Sequence, residues 1–331
     1  MPRSGQNPMR WVSRLASPAR LTLTTMVHVP NLQGFWSASL EVLTLCLESL
    51  RSTTPGRFEL VVLDNGSCAE VRDFLFARFA AREIDQLLVS HRNLGKVGGW
   101  NLLFSAAQGE TVAYADSDVY FMPGWYEASL AVLEAFPQAA MVTAQPIPGD
   151  LSLHCKATLE AAAADPALEL REGDDLIPEP YVESHRLGLG ETPELYAARI
   201  RRRRDVRLKR GETEAYVSAS HFQFVSRREI LRSFFPMETS IPLGDDREFD
   251  SRLDEARHWR LSTVEYLVHH MGNRPPDLEE ELPWLERGPP IAAEPPPRPA
   301  GAWNRRILNS RPVRRLLKSI NRKSYELLYL D

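Results

Sequence analysis

Three cysteines in 331 residues, Cys46, Cys68 and Cys155, are too few, too scattered and too odd in number for a disulfide framework. None stands in a CxxC pair of the kind that holds zinc, so reduced thiols of a cytosolic protein are expected. An excess of basic charge is missing as well. Lys and Arg number 40 against 44 Asp and Glu, a net charge of −4, which argues against a phosphate-tracking surface and against a nucleic-acid partner. No window approaches the roughly 18 uncharged apolar residues of a membrane span. The start carries Arg3, Arg10, Arg14 and Arg20, but no apolar stretch of signal-peptide length follows before Pro30. Neither export nor membrane insertion is expected.

What is present is ordinary for a globular protein, with 43% hydrophobic and 25% charged residues. The length allows one large domain with additions, or two. Residues 1–20 read as a basic, flexible arm. Leu21 to Val29 is a β-rich run stopped by Pro30, and Leu40, Leu43, Leu47 and Leu50 then recur at helical spacing. Phe58 to Leu63 is a second apolar run closed by Asp64, Asn65, Gly66 and Ser67, and Val71, Phe74, Leu75 and Phe79 mark a second helix. Residues 87–90 form a short third strand, the stretch from His91 to Asn101 opens a helix, 111–115 is a fourth strand, and 141–145 a fifth. This alternation predicts an α/β fold with a mostly parallel sheet and helices on both faces. Ligands of such sheets bind beyond the carboxyl ends of the strands. Those ends are Val29 to Asn31, Asp64, His91 to Lys96, and Asp116 to Asp118.

The last of these is the most informative. An apolar run delivers Asp116, Ser117 and Asp118, and residues two apart in a strand face the same way, so both carboxylates are expected to reach one ligand. Two hard oxygen donors suit Mg²⁺ or Mn²⁺, completed by water and a substrate's phosphates. From about 149 to 215 the pattern weakens; the segment is compatible with a helical lid, and its run Arg201 to Arg204 reads as a solvated face. Order returns at Tyr216, followed by GDDREFDSRL and a β-rich stretch, Ser262 to His270, that ends in two histidines.

Past residue 275 the chain becomes a proline-rich linker over 276–301. The last segment, 302–331, has Val313, Leu316, Leu317, Ile320, Leu327 and Leu328 on one helical stripe among Arg and Lys. A basic amphipathic helix of this kind suits the anionic inner face of a membrane, as a peripheral contact. Packing of the stripe on the main domain or on a second subunit fits the pattern equally.

Taken together, these stretches resemble a family 2 glycosyltransferase of the GT-A type, an α/β fold that moves a sugar from a nucleotide sugar. The resemblance runs from about Leu21 to Asn273, excluding most of 149–215. It implies a domain over 21–275, with a nucleotide-sugar half at 21–148, an insert or lid at 149–215 and an acceptor half at 216–275. Val29, Pro30 and Asn31 look like the family's opening strand end. LVVLDNGS implies a base contact for Asp64, and RNLGKVGGWN implies nucleotide-sugar contacts for Asn93, Gly95, Lys96 and Asn101. Glycines let backbone approach a ligand, and a helix N-terminus favours phosphates. YADSDVYFMPGW places Asp116 and Ser117 near the ribose and sugar, and Asp118, with Asp116, at a metal. GDDREFDSRL resembles the acceptor-side motif, with Asp246 as general base and Asp245 in place of the usual Glu. His269 and His270 fall where relatives often carry a histidine for the metal or diphosphate.

The expected activity is a metal-dependent, inverting transfer from a nucleoside diphosphate sugar, a UDP-sugar favoured, to a carbohydrate or lipid-linked hydroxyl, with Mn²⁺ or Mg²⁺. Assembly of a polysaccharide, glycolipid or lipopolysaccharide is the setting this implies. A retaining transferase or nucleotidyltransferase would keep Asp116 and Asp118 without needing Asp246. A non-catalytic scaffold would keep only the fold.

Overall fold

The computed structural model describes residue 7 and residues 17–152, 154–243 and 245–285. Most of the arm, the linker beyond 285 and the basic stripe of 302–331 lie outside the described residues.

The continuous apolar runs become central strands because both of their faces are covered. In β2 (Phe58–Asn65), Leu60 and Val62 enter one core while Val61 and Leu63 enter the other. β1 (Leu21–Val27) pairs in parallel with β2 and with β4 (Thr111–Asp116), and β3 (Gln86–Ser90) extends the sheet beyond β2. On the first face α1 (Ser39–Thr53), α2 (Ala69–Ala80) and α4 (Trp125–Ala135) supply mainly aliphatic contacts. The other face is aromatic. Trp100 and Phe104 of α3 (Gly95–Ala106) meet Tyr114, Phe224, Phe235 and Phe249 with ring centroids 4.8–6.1 Å apart. Edge-to-face rings at this separation add about 0.5–1.5 kcal/mol per pair beyond buried area.

The complete sheet has ten strands in the order β3-β2-β1-β4-β10-β6-β11-β9-β8-β7. Here β6 is Ala139–Thr143, β7 Glu169–Gly173, β8 Asp205–Arg210, β9 Thr213–Val217, β10 Gln223–Arg227 and β11 Trp259–Ser262. Seven of the ten strands share one direction; β7, β9 and β10 oppose them. α5 (Lys156–Ala164), α8 (Arg228–Phe234) and α9 (Asp246–Glu255) complete the layers.

The segment 149–215 is more than a helical cover. Its strands β7 and β8 carry the sheet outward beyond β9, with Val206 and Leu208 buried and Arg207, Lys209 and Arg210 half-buried between them. Its helix α6 (Glu179–Gly188), followed by α7 (Pro193–Arg199), lies against β12 (Val268–His270). Arg203 of the basic run is drawn into a bidentate pair with buried Asp205 and also donates to the Ile177 carbonyl. Among the described residues no helix is long and apolar enough to cross a membrane. The three cysteines are free thiols, and burial pushes Cys46 up to about 12 and Cys155 up to about 11.

Candidate active site

β4 stops at Asp116, so the two acids do not share a strand face. Ser117 and Asp118 form a turn into the short strand β5 (Val119–Phe121). The Asp116 carboxylate accepts from Lys96 Nζ at 2.8 Å and from the Tyr114 hydroxyl at 2.5 Å, Tyr114 being its same-face neighbour two residues back. Asp118 turns elsewhere. β5 pairs antiparallel with β12, opposite Val119 stands His270, and the Met271 N–H donates to the Asp118 carbonyl at 2.8 Å. This ribbon puts His270 Nε2 3.4 Å from Asp118 Oδ2, across 150 residues of sequence.

The His270 ring is fixed from its other side, where Nδ1 donates to the Gly188 carbonyl of α6 at 2.8 Å. Burial disfavours its charged form, but the Asp118 carboxylate and the Gly188 carbonyl prevail and raise its pKa to about 9. Burial likewise opposes ionisation of Asp118, and His270 and Lys96 outweigh it to hold that carboxyl below its ordinary range. Asp118 Oδ1 is buried and has no hydrogen-bond partner among the described residues.

His269 points the opposite way, as alternation in β12 requires. Its Nδ1 meets the Tyr266 hydroxyl at 3.0 Å and its Nε2 the Glu281 carboxylate at 2.9 Å, fully buried under α10 (Leu278–Glu281). Both ring nitrogens are taken, so the expectation of a ligand at His269 does not match its place in the fold. Among the described residues no three His, Cys, Asp or Glu side chains cluster as a complete metal cage. The donor set that does converge is Asp118 with His270. An unpartnered buried carboxylate oxygen beside an imidazole fits a hard divalent cation that takes its remaining ligands from water and phosphates.

Several other expected contacts prove to be braces. Asn101 holds Met237 by both of its backbone groups, its Nδ2 donating to the carbonyl and its Oδ1 accepting from the N–H, each at 2.8 Å. Asp64 is fully buried, accepting from the Ser67 N–H at 2.8 Å and from Arg72 Nε at 3.3 Å. Both are engaged by the protein itself and brace the elements they join. Asn93 accepts from the Gly95 N–H and from Asn65 Nδ2, tying the β3–α3 loop to the end of β2. Gly95 has φ +74°, and a Cβ there would stand 2.9 Å from the Ile241 carbonyl oxygen, so only glycine fits. The Lys96 N–H donates to the Pro242 carbonyl at 2.9 Å. The first donors of α3, expected to face phosphates, are therefore engaged by protein. Val29 is buried and bonded through its backbone to Ser67 and Cys68, while Pro30 and Asn31 are exposed.

On the acceptor side Asp245 and Asp246 separate. Asp245 accepts from the Ser240 and Ile241 N–H groups, which lower its pKa, and so closes its own loop. Asp246 heads α9 and faces His221, whose Nδ1 lies 3.6 Å from Asp246 Oδ2. Residue 222 joins the two sides: the Phe222 carbonyl accepts from the Asp116 N–H at 2.7 Å, and its ring lies 5.4 Å from that of His270. His221 and Gly188 were not legible as site residues. A lone histidine in ASASHFQF and a glycine inside the segment 149–215 carry no spacing signal. A groove of about 390 Å³ lies at the far end of β4 and is lined by Arg20, Glu110, Thr111, Arg228 and Arg232. It is remote from Asp116 and belongs to no part of this site.

Acids and an imidazole gather at the carboxyl ends of a sheet with helices on both faces, which is where such sheets bind their ligands. The family model described as glycosyl transferase family 2 matches residues 37–231, more than half of the chain, and the chain belongs to that family. No curated protein matches it. Among solved structures, GalNAc-T7 with UDP, GalNAc and Mn²⁺ is similar at 15% identity, over 78% of this chain and 45% of that one, with a TM-score of 0.48. S. aureus TarS 1–349 is similar at 11% identity over 80% of this chain and 62% of that one, TM-score 0.44. Its complex with UDP-GlcNAc is similar at 17% over 39% and 34%, TM-score 0.32. This chain spans less than two thirds of each of those chains, and the assignment rests on the family match.

Proposed function

We propose that the chain transfers a sugar, with inversion, from a nucleoside diphosphate sugar, a UDP-sugar favoured, to a hydroxyl of a carbohydrate or lipid-linked acceptor. The observation that carries this reading is the pairing of Asp118 with His270 across the β5–β12 ribbon, with Asp118 Oδ1 left unpartnered. Asp118 and, once its Nε2 proton is released, His270 would hold Mn²⁺ or Mg²⁺, which when bound neutralises charge on the leaving diphosphate.

The chain's own groups divide the remaining work. Lys96, 2.8 Å from Asp116, compensates that carboxylate so that it does not repel the donor's phosphates. Asp246 accepts the proton of the acceptor hydroxyl as its oxygen bonds to the anomeric carbon. The bond from that carbon to the diphosphate breaks, and its electron pair leaves with the nucleotide. Asp245 serves as the brace of the loop that presents Asp246. The basic stripe of 302–331, read from sequence, supports a setting near lipid-linked acceptors in polysaccharide, glycolipid or lipopolysaccharide assembly, in the cytoplasm at the membrane's inner face.

The test is a thermal-shift panel of nucleotide sugars with Mn²⁺, followed by turnover of the donor that binds. Asp246→Asn is expected to keep the donor-induced shift and lose turnover by about 10²–10⁴-fold, the usual worth of a general base. Undiminished turnover in that variant removes Asp246 from the base role. Retention of anomeric configuration in the product, read by NMR, overturns the inverting reading.

A further inference from the structure

His221 stands between the acid assigned as base and a second, buried acid. We propose that His221 is a positioning residue that sets the Asp246 carboxylate for the acceptor hydroxyl and is itself anchored by a buried Asp250–Arg260 pair. The inference rests on Asp246 being the base. Asp246 and Asp250 are one turn apart on α9, so both project from one helix face. His221, in the turn before β10, meets both: Nδ1 lies 3.6 Å from Asp246 Oδ2, and Nε2 lies 2.8 Å from Asp250 Oδ1. Nε2 and Asp250 Oδ1 are both buried and neither forms a well-aligned hydrogen bond with any described residue, so their 2.8 Å approach is a charge contact in which each is the other's nearest polar neighbour.

Behind this contact the anchor is rigid. Asp250 Oδ2 lies 3.0 Å from Arg260 Nη2, which also donates to the Ala219 carbonyl at 2.6 Å, two residues before His221. Asp250 is 3% exposed and Arg260 5%. Burial opposes ionisation of Asp250, and Arg260 and His221 outweigh it, leaving its carboxyl below the ordinary range. A carboxylate this desolvated is expensive unless paired, and Arg260 alone would pair it. The histidine adds a connection from that fixed charge to a carboxylate at the mouth of the site, whose side chain is 17% exposed. On the other side the ring lies 6.0 Å from that of Trp100, which limits its rotation. The turn holding His221 is the one whose Phe222 touches Asp116 and His270. Holding Asp246 in one rotamer matters because a displacement of about 1 Å in a reacting group can lower the rate by about 10².

The experiment uses the full chain with MnCl₂ and UDP-glucose, UDP-galactose or UDP-GlcNAc, reading UDP release with water as acceptor. His221→Ala is expected to lower kcat by about 10–100-fold with the donor KM within about two-fold, and added imidazole to restore part of the rate. His221→Gln, which keeps an amide donor for Asp250, should fall between Ala and the natural residue. Wild-type kcat in His221→Ala, alongside an inactive Asp246→Asn, overturns the role of His221 while leaving Asp246 as base. A wild-type rate in Asp246→Asn instead removes the base assignment and this inference with it. A loss in His221→Ala that imidazole does not relieve and that comes with a fall in Tm marks His221 as structural and overturns the proposal. ¹⁵N-histidine NMR of the unaltered protein tests the anchor without turnover. A proton on Nε2 is expected, and a ring protonated on Nδ1 alone overturns it.

Discussion

Gly188 offers the sharpest test of how the site is assembled. It ends α6, its carbonyl accepts from His270 Nδ1 at 2.8 Å, and a Cβ built on it would stand 2.6 Å from the His270 carbonyl oxygen and 3.5 Å from the His270 Cβ. Its φ lies outside the left-handed region, so Gly188→Ala introduces no backbone strain and acts through contact alone. To accommodate the methyl, β12 and α6 must part by roughly half an ångström or more, a change in the overpacking range of about 1–3 kcal/mol. The expected fall in Tm is about 2–9 °C for a domain of this size. The displaced element carries His270, so the Asp118–His270 pair should open in the same variant. The assay is thermal unfolding with and without UDP and Mn²⁺, where the ligand-induced rise in Tm reports affinity by mass action. The variant is expected to weaken Mn²⁺-dependent UDP binding by about tenfold, the low end for disturbing a partner that orients a metal-ligating histidine. In a His270→Ala background the further effect on binding should be small, because the two changes act on one contact. An unchanged Tm in Gly188→Ala refutes the packing reasoning. A lowered Tm with unaltered Mn²⁺ dependence refutes the claim that α6 sets His270.

Two further outcomes follow from named contacts. Asn101→Ala leaves the Met237 N–H and carbonyl without their partners and should destabilise the protein by about 1–3 kcal/mol per group left unpaired. Urea unfolding at equilibrium checks this, with donor binding per folded molecule unchanged. His185, bonded at 2.8 Å to the Tyr196 hydroxyl, is lowered to about 3 by burial first and then by the charges of His270 and Arg199. Its folded value is below the ordinary 6.5, so the unfolded chain binds the extra proton. Its contribution to stability is complete above pH 6.5 and is lost as the pH falls toward 3, with a slope of at most about 1.4 kcal/mol per pH unit. His185→Gln should flatten that part of the urea-midpoint profile, and an unchanged slope would contradict the assignment.

The strands that could be read from sequence were those whose signal is local. Leu21 to Val27, Phe58 to Asn65 and Thr111 to Asp116 are apolar runs because helices cover both faces, and β-branched content with closing turn residues marks their ends. Helix α4 and strand β5 carry little local signal; β5 has three residues, and among the described residues it pairs with β12, nearly 150 positions away. The hairpin β8–β9 had a signal in the alternation around Val206 and Leu208 and the turn at Gly211. That signal was masked by the density of charge in the same stretch.

The functional pattern divides along the same line. Asp116, Asp118 and Asp246 could be nominated from spacing and resemblance, since each closes or opens an element whose type is fixed by near neighbours. That Asp116 binds Lys96 while Asp118 binds His270 could not, because it depends on β4 ending two residues earlier than a shared strand face requires. The sequence by itself determined the α/β class, the family and which strand ends carry the acids, all through local periodicity and contiguous motifs. Only the tertiary structure decided that His270 and not His269 faces Asp118, that Asn101 and Asp64 are braces, and that His221 stands behind Asp246. Each of those outcomes is set by pairing between residues far apart in the chain, through strand register and burial, to which no local pattern is sensitive.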